Sequence, residues 1–240
     1  MNRETIQEDE YEFPYHHIPT HAPFAQSRLL FWGYEYEAYL EEILAVLEGM
    51  SFKSLIDIGC GDGRLLSELV KSSNARLVGT DFSEKALAFA RAFSASVEFQ
   101  RDIPDKETFD VLTLIEVLEH IPPEEIPTFL NTLRGALVPG GKGVITVPSV
   151  ALPVNRKHYQ HFSAESLTET LSPYFVIDSI THLNTVSLGS KIIARLLSNR
   201  FFILNHSGMR EWLYGIYKKH HLRAHPGKGA RLMAIVTPRA

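Results

Sequence analysis

Hydrophobic and polar positions alternate along this chain in two distinct rhythms. Short stretches such as Ser54–Ile58 (SLIDI), Arg76–Thr80 (RLVGT), Phe109–Ile115 (FDVLTLI) and residues 142–147 (KGVITV) are mostly apolar, as expected of strands covered on both faces. Between them, residues 64–72, Glu84–Phe93 and residues 126–137 repeat their apolar positions every three or four residues, the spacing of a helix with one buried stripe. Residues 97–100, 174–183 and 232–237 read as further strands, and residues 167–171 as helical, the helix starting at Ala164 where Ser163 serves as its N-cap. Seven strands alternating with helices predict an α/β fold, a mostly parallel sheet with helices on both faces. Upstream, a helix is expected from about residues 23–27 to Glu48, with Gly33 as a break point and Gly49 as its stop; Tyr36, Tyr39, Leu40, Ile43, Leu44 and Leu47 mark its apolar face. Residues 186–229 interrupt the rhythm as one or two helices inserted before the last strand.

The chemistry begins where the first strand runs into Asp57-Ile58-Gly59-Cys60-Gly61-Asp62-Gly63 and then into a helix. Glycine allows the backbone to approach a ligand closely, and a helix start offers unpaired N–H groups. The dinucleotide fingerprint is G-x-G-x-x-G. Here the third glycine comes one residue early and an acid, Asp57, stands inside the strand. That carboxylate would repel a pyrophosphate and attract an ammonium or hydroxyl, which points to a ligand with an amino-acid tail. An NAD-dependent oxidoreductase is disfavoured for the same reason. Asp81 follows the second strand, placed to accept ribose hydroxyls, and Asp102 follows the third, placed to accept an adenine amino group.

DIGCGDG, GTDFSEKAL, RDI, FDVLTLIEVLEHI and LRGALVPGGKGVITVP stand in the order and spacing of the motifs of class I S-adenosylmethionine-dependent methyltransferases. The chain resembles that family between about residues 54 and 148. The resemblance implies a Rossmann-like, seven-stranded sheet with an antiparallel last strand, and S-adenosyl-L-methionine as cofactor. It would set Gly59 and Gly61 around the methionine part, Asp81 on the ribose, Phe82 near the adenine, Asp102 and Ile103 on the base, and Glu116 beside the sulfonium.

Methyl transfer from a sulfonium requires chiefly that the nucleophile be held about 3 Å from the methyl carbon, in line with the C–S bond. A base helps when the acceptor must lose a proton. Glu116-Val117-Leu118-Glu119-His120 follows the fourth strand, so His120 is the candidate base, with Glu119 to orient it and His161 as a further catalytic residue. Two subfamilies with an E-x-x-E-H sequence, small-RNA 3′-terminal ribose 2′-O-methyltransferases and ubiquinone-pathway O-methyltransferases, resemble this stretch. In both, the resemblance would make Glu116, Glu119 and His120 ligands of a divalent cation, completed by His158 or His161. The spacing of the later histidine matches neither subfamily, so no resident metal is expected.

With 240 residues, one cysteine and no apolar run of membrane-spanning length, the composition suits a soluble cytoplasmic protein. The net charge of −4 conceals an asymmetry: residues 190–231 carry nine Lys or Arg against one acid, Glu211. Residues 51–185 and 230–240 are expected to form the methyltransferase core. Residues 1–50, with Tyr11, Phe13, Tyr15, His16, His17, Trp32, Tyr34 and Tyr36, are expected to form one substrate lid, with Arg28 in reach of the cofactor carboxylate, and the basic insertion, with Phe201, Phe202, Trp212, Tyr214 and Tyr217, the other. His206, His220, His221 and His225 are expected at its solvated surface. A small-molecule or lipid-like acceptor, O-methylated, is the expected substrate, with peripheral membrane contact as an option. Overall acidity disfavours extended nucleic-acid contact. The alternatives are a metal-dependent ribose 2′-O-methyltransferase acting on RNA and a non-catalytic S-adenosylmethionine-binding protein.

Overall fold

A computed structural model describes residues 25–197 and 206–239, with side chains from residue 33 onward. The expected aromatic arm, Phe201, Phe202 and the side chains of Arg28 and Trp32 lie outside the described residues. In chain order the elements are α1 (Ala25–Glu48), β1 (Ser54–Ile58), α2 (Arg64–Leu69), β2 (Arg76–Thr80), α3 (Glu84–Phe93), β3 (Glu98–Gln100) and β4 (Phe109–Ile115). A 3₁₀ turn at Leu118–His120 follows, then α4 (Ile126–Gly135), β5 (Leu137–Pro148), α5 (Ala164–Leu171), β6 (Phe175–Thr185), α6 (Leu188–Leu197), α7 (Ser207–His220) and β7 (Gly229–Pro238).

The sheet order is β3-β2-β1-β4-β5-β7-β6. The pairs β1–β2, β2–β3, β1–β4 and β4–β5 are parallel, whereas β7 is antiparallel to both β5 and β6. This is the expected Rossmann-like sheet with an antiparallel last strand. Alternate strand residues face opposite layers. Ile56, Leu112, Leu114 and Ile145 pack with Leu130 and Leu133 of α4 and Leu167 and Leu171 of α5. Leu55, Leu77, Val111 and Val144 pack with Ile43 and Leu47 of α1, Leu66 of α2 and Leu87 of α3.

Several boundaries differ from the sequence reading. α1 runs through Gly33 without a break, because packing of its Tyr39–Ile43–Leu47 stripe outweighs the ~1 kcal/mol penalty of one helical glycine. β5 begins at Leu137, since Leu137 pairs with Phe109 before the irregularity at Gly140 (φ 79°). α5 starts at Ala164, as expected with Ser163 as its cap, and Ser163 and Ser166 form a reciprocal capping box.

Candidate active site

The carboxyl ends of β1, β2 and β4 meet at the reversal of strand order between β1 and β4, where ligands bind in open α/β sheets. Gly59, Gly61 and Gly63 all have positive φ (72°, 55° and 75°). The N–H groups of Gly59 and Cys60 both donate to the Thr80 carbonyl, at 2.8 and 2.9 Å, tying the loop to the end of β2. A Cβ on Gly59 would lie 2.3 Å from Cγ2 of Val117, so the glycine loop and the Glu116–His120 turn are in direct contact.

The acids are held differently. Asp57 is buried within the sheet and accepts from the Thr113 hydroxyl at 2.7 Å. Burial pushes its carboxyl up to about 7, against the Thr113 hydrogen bond and aided by the charge of Asp81. Asp81 accepts from the N–H groups of Gly61 (2.9 Å) and Ser83 (2.8 Å), so it clamps the glycine loop as well as standing at the end of β2. Burial raises its carboxyl too, opposed by those two donors. Phe82 is exposed beside it. Asp102 is exposed after β3, its carbonyl accepting from the Gln100 side chain at 2.9 Å, and Ile103 packs against the core.

Glu116 does not face the glycine loop alone. It has φ 55°, uncommon for a residue with a side chain, and its N–H donates to the Thr146 carbonyl at 3.1 Å. Its carboxylate accepts from Arg231 Nε at 3.2 Å and from the Tyr39 hydroxyl at 3.5 Å. Arg231 also donates to Glu35 (2.9 Å) and Asn184 (3.3 Å), and its guanidinium lies 5.0 Å from the Tyr39 ring centroid. Tyr39 shares a short hydrogen bond with the Thr146 hydroxyl. This cluster joins α1, β4, β5, β6 and β7. Its members Tyr39, Arg231 and Asn184 carried no site role in the sequence reading. The available signal was an arginine opening an apolar last strand, where burial demands acidic partners.

Glu119 is fully buried, and neither carboxylate oxygen has a hydrogen-bond partner among the described residues. Burial, then the nearby Glu116 charge, holds its carboxyl well above the usual range. His120 Nε2 lies 3.8 Å from Glu119 Oε1, and its imidazole is lowered by burial while hydrogen-bonded to the Lys157 carbonyl. The His120 and His158 rings meet edge to face at 4.7 Å. Glu119, His120 and His158 each offer a ligand atom within 4.8 Å of the others, a set able to hold a metal ion.

His161 reaches this group only through His158. His161 Nδ1 donates to the Leu152 carbonyl at 3.0 Å, so in the neutral ring Nε2 accepts from His158 Nδ1 at 2.8 Å. His158 Nε2 is then an acceptor, met by the Asn155 side-chain amide at 3.2 Å. Burial, followed by the neighbouring His120, His161 and Lys157, lowers His158 to about 4, which keeps it neutral. The structure therefore brings together Glu119, His120 and His158, with Glu116 turned to Arg231 and His161 one step behind.

Comparison with known proteins fits this geometry. The ubiquinone biosynthesis O-methyltransferase of Rhizobium etli is 34% identical over 134 residues, 52% of this chain and 51% of that protein. The enzyme of the same description from Idiomarina loihiensis is 34% identical over 105 residues, 40% of this chain and 42% of that protein. The chain thus spans about half the length of the curated relatives it matches. The solved N-methyltransferase NodS from Bradyrhizobium japonicum, in complex with S-adenosyl-L-homocysteine, superposes with a TM-score of 0.58 at 15% identity, over 86% of this chain and 88% of NodS, a likeness of fold. The family described as a methyltransferase domain matches residues 31–186, most of the chain and the whole glycine-loop half of the sheet. The chain therefore belongs to the class I, Rossmann-like methyltransferases, whose cofactor is S-adenosyl-L-methionine.

Proposed function

We propose that this protein transfers the methyl group of S-adenosyl-L-methionine to an oxygen of a small, lipid-like acceptor. The observation that supports this reading is the contact of Gly59 with Val117, whose carbonyl accepts from the N–H of His120, an imidazole lowered by burial. The cofactor supplies an activated methyl and its own leaving group. The left-handed glycines provide a close backbone approach, and Asp81 stands where ribose hydroxyls are taken in this fold. His120 gives one nitrogen to the Lys157 carbonyl, leaving the other to accept a proton from a phenol or alcohol. The curated relatives are named as O-methyltransferases, which supports an oxygen acceptor. α1 and the inserted helices α6 and α7, packed together around Tyr34, Ile193 and Leu213, form the acceptor lid.

Titration calorimetry with S-adenosylhomocysteine tests the donor site. Asp81→Ala removes both the ribose acceptor and the clamp on the Gly61 N–H, so affinity should fall by a factor of about 100. Unchanged affinity would remove Asp81 from the site. Turnover on a panel of phenolic and catecholic lipids, with His120→Gln at least about 100-fold slower in kcat, tests the acceptor chemistry.

A second reading adds a divalent cation, favoured by the unpartnered Glu119 carboxylate. A buried carboxylate is ordinarily paired or ligates a metal. Glu119, His120 and His158 would hold the ion, which would take the place of the Asn155 amide at His158 Nε2, and His161 would fix that tautomer, as second-layer partners of metal histidines do. The ion would lower the acceptor hydroxyl's pKa. Manganese alone, followed by paramagnetic resonance, should bind one site. Glu119→Gln should weaken it about tenfold or more while leaving S-adenosylhomocysteine affinity intact. Equal manganese binding by both proteins would eliminate this site.

A further inference from the structure

β6 ends and β7 begins at the carboxyl edge of the sheet, so the insertion carrying α6 and α7 leaves and returns beside the donor loop. The inward faces of these helices are satisfied: Ile193 and Leu197 of α6 pack with Leu213 of α7, and Tyr34 and Ile216 close the cluster. Their outward faces are apolar as well. On α6, Leu188 is 75% and Ile192 51% exposed, one turn apart, with exposed Lys191 and Arg195 alternating beside them. On α7, Trp212 is 63% and Met209 47% exposed, with Lys219 two turns beyond Trp212. Other cations of the insertion are spent internally: Lys218 pairs with Glu41, and Arg223 with Glu42 of α1.

We propose that the outward face of α6 and α7 docks on an anionic lipid bilayer and holds the acceptor side of the active site against the membrane. Large apolar side chains interleaved with lysine and arginine on one helix face are the pattern of an interfacial helix, in which the apolar groups enter the acyl boundary and the cations meet lipid phosphates. A tryptophan with a half-exposed indole suits the same boundary. The charge decides between occupants. A second copy of this face would bring Lys191 and Arg195 against their own kind, whereas an anionic surface matches them. The chain excluding residues 190–231 is acidic, so the protein would be oriented with that face down. No described helix is long and apolar enough to span a membrane. The purpose of the docking rests on the lipid-like acceptor proposed above; its geometry does not.

The test is flotation of the full chain with vesicles of phosphatidylcholine alone or with phosphatidylglycerol. The expected result is binding only to the anionic vesicles, reduced by salt, and weakened about tenfold or more by Ile192→Glu with Trp212→Glu. Lys191→Glu with Arg195→Glu should abolish the preference for phosphatidylglycerol. S-adenosylhomocysteine affinity, unchanged in both variants, shows that they are folded. No vesicle binding by the wild type, equal binding by the variants, or a dimer that Trp212→Glu dissociates would each overturn the proposal. Turnover of a detergent-dispersed acceptor separates the two readings: if it proceeds without vesicle binding, docking alone fails, and if vesicle binding occurs without any O-methylation, only the acceptor reading fails.

Discussion

Replacing Arg231 by methionine is expected to cost about 2–4 kcal/mol, the lower part of what breaking a buried ion pair costs, because the groups retain some solvent. The guanidinium holds two carboxylates, Glu116 and Glu35, while its face covers the Tyr39 ring. All three charged side chains are between 20 and 27% exposed, so water cannot fully replace the lost partner. Methionine preserves much of the apolar stem and leaves two negative charges near each other. Lysine should recover only part, since one ammonium cannot reproduce the forked geometry toward Glu116, Glu35 and Asn184. Urea denaturation reads the effect. The double variant Arg231→Met with Glu35→Gln should be less destabilised than the sum of its parts, and strict additivity would show that the pair is not coupled. A wild-type midpoint for Arg231→Met would refute the role assigned to this cluster.

Asp57→Asn should make the ligand-free protein more stable at neutral pH by about 4 kcal/mol. Asp57 is raised from 3.8 to about 7 in the folded chain, mainly by burial. Its contribution to stability is therefore fully present below the unfolded value and lost as pH rises toward 7. In that window the folded state keeps a proton that the unfolded state has released. Asparagine has no such proton and can still accept from Thr113. The stability difference between variant and wild type should accordingly be small at pH 4 and grow steadily to pH 7. Denaturation midpoints across that range measure it, and a difference independent of pH would contradict the assignment. The same substitution should weaken S-adenosylmethionine binding, because the group stored at this cost is the one suited to an ammonium. Stability and donor affinity then move in opposite directions at one residue.

The sheet and donor loop were legible because local signals and tertiary packing agree there. β1, β2, α3 and β4 begin and end where the apolar runs do: Gly59 follows β1, Asp81 follows β2 and Ser83 caps α3, each a local reason for an element to stop or start. Asp57, Asp81 and the glycines stand out by their spacing within the strand-helix rhythm, and the structure brings Asp81 onto the Gly61 N–H. The acceptor side was harder. Arg231 and Glu35 are 196 positions apart and meet only once β7 has entered the sheet beside β5. His158 and His161 differ by three positions, yet only the Leu152 carbonyl, presented by the loop after β5, sorts them into inner and outer roles. Period and motif give no access to such a choice, because it depends on which backbone group arrives.

Thr185 and Gly229, the last residue of β6 and the first of β7, are partners across the ladder. Everything between them is thus a single excursion from a hairpin, with its two stems already paired. Lengthening, shortening or exchanging such an excursion changes chain entropy only logarithmically and leaves the ladder register untouched. The proposed methyl-donor half of the site comes from the ends of β1, β2 and β4, outside the excursion. The strands around the glycine loop can therefore stay as they are while the excursion is exchanged, and under the function proposed above such an exchange would alter the acceptor side alone.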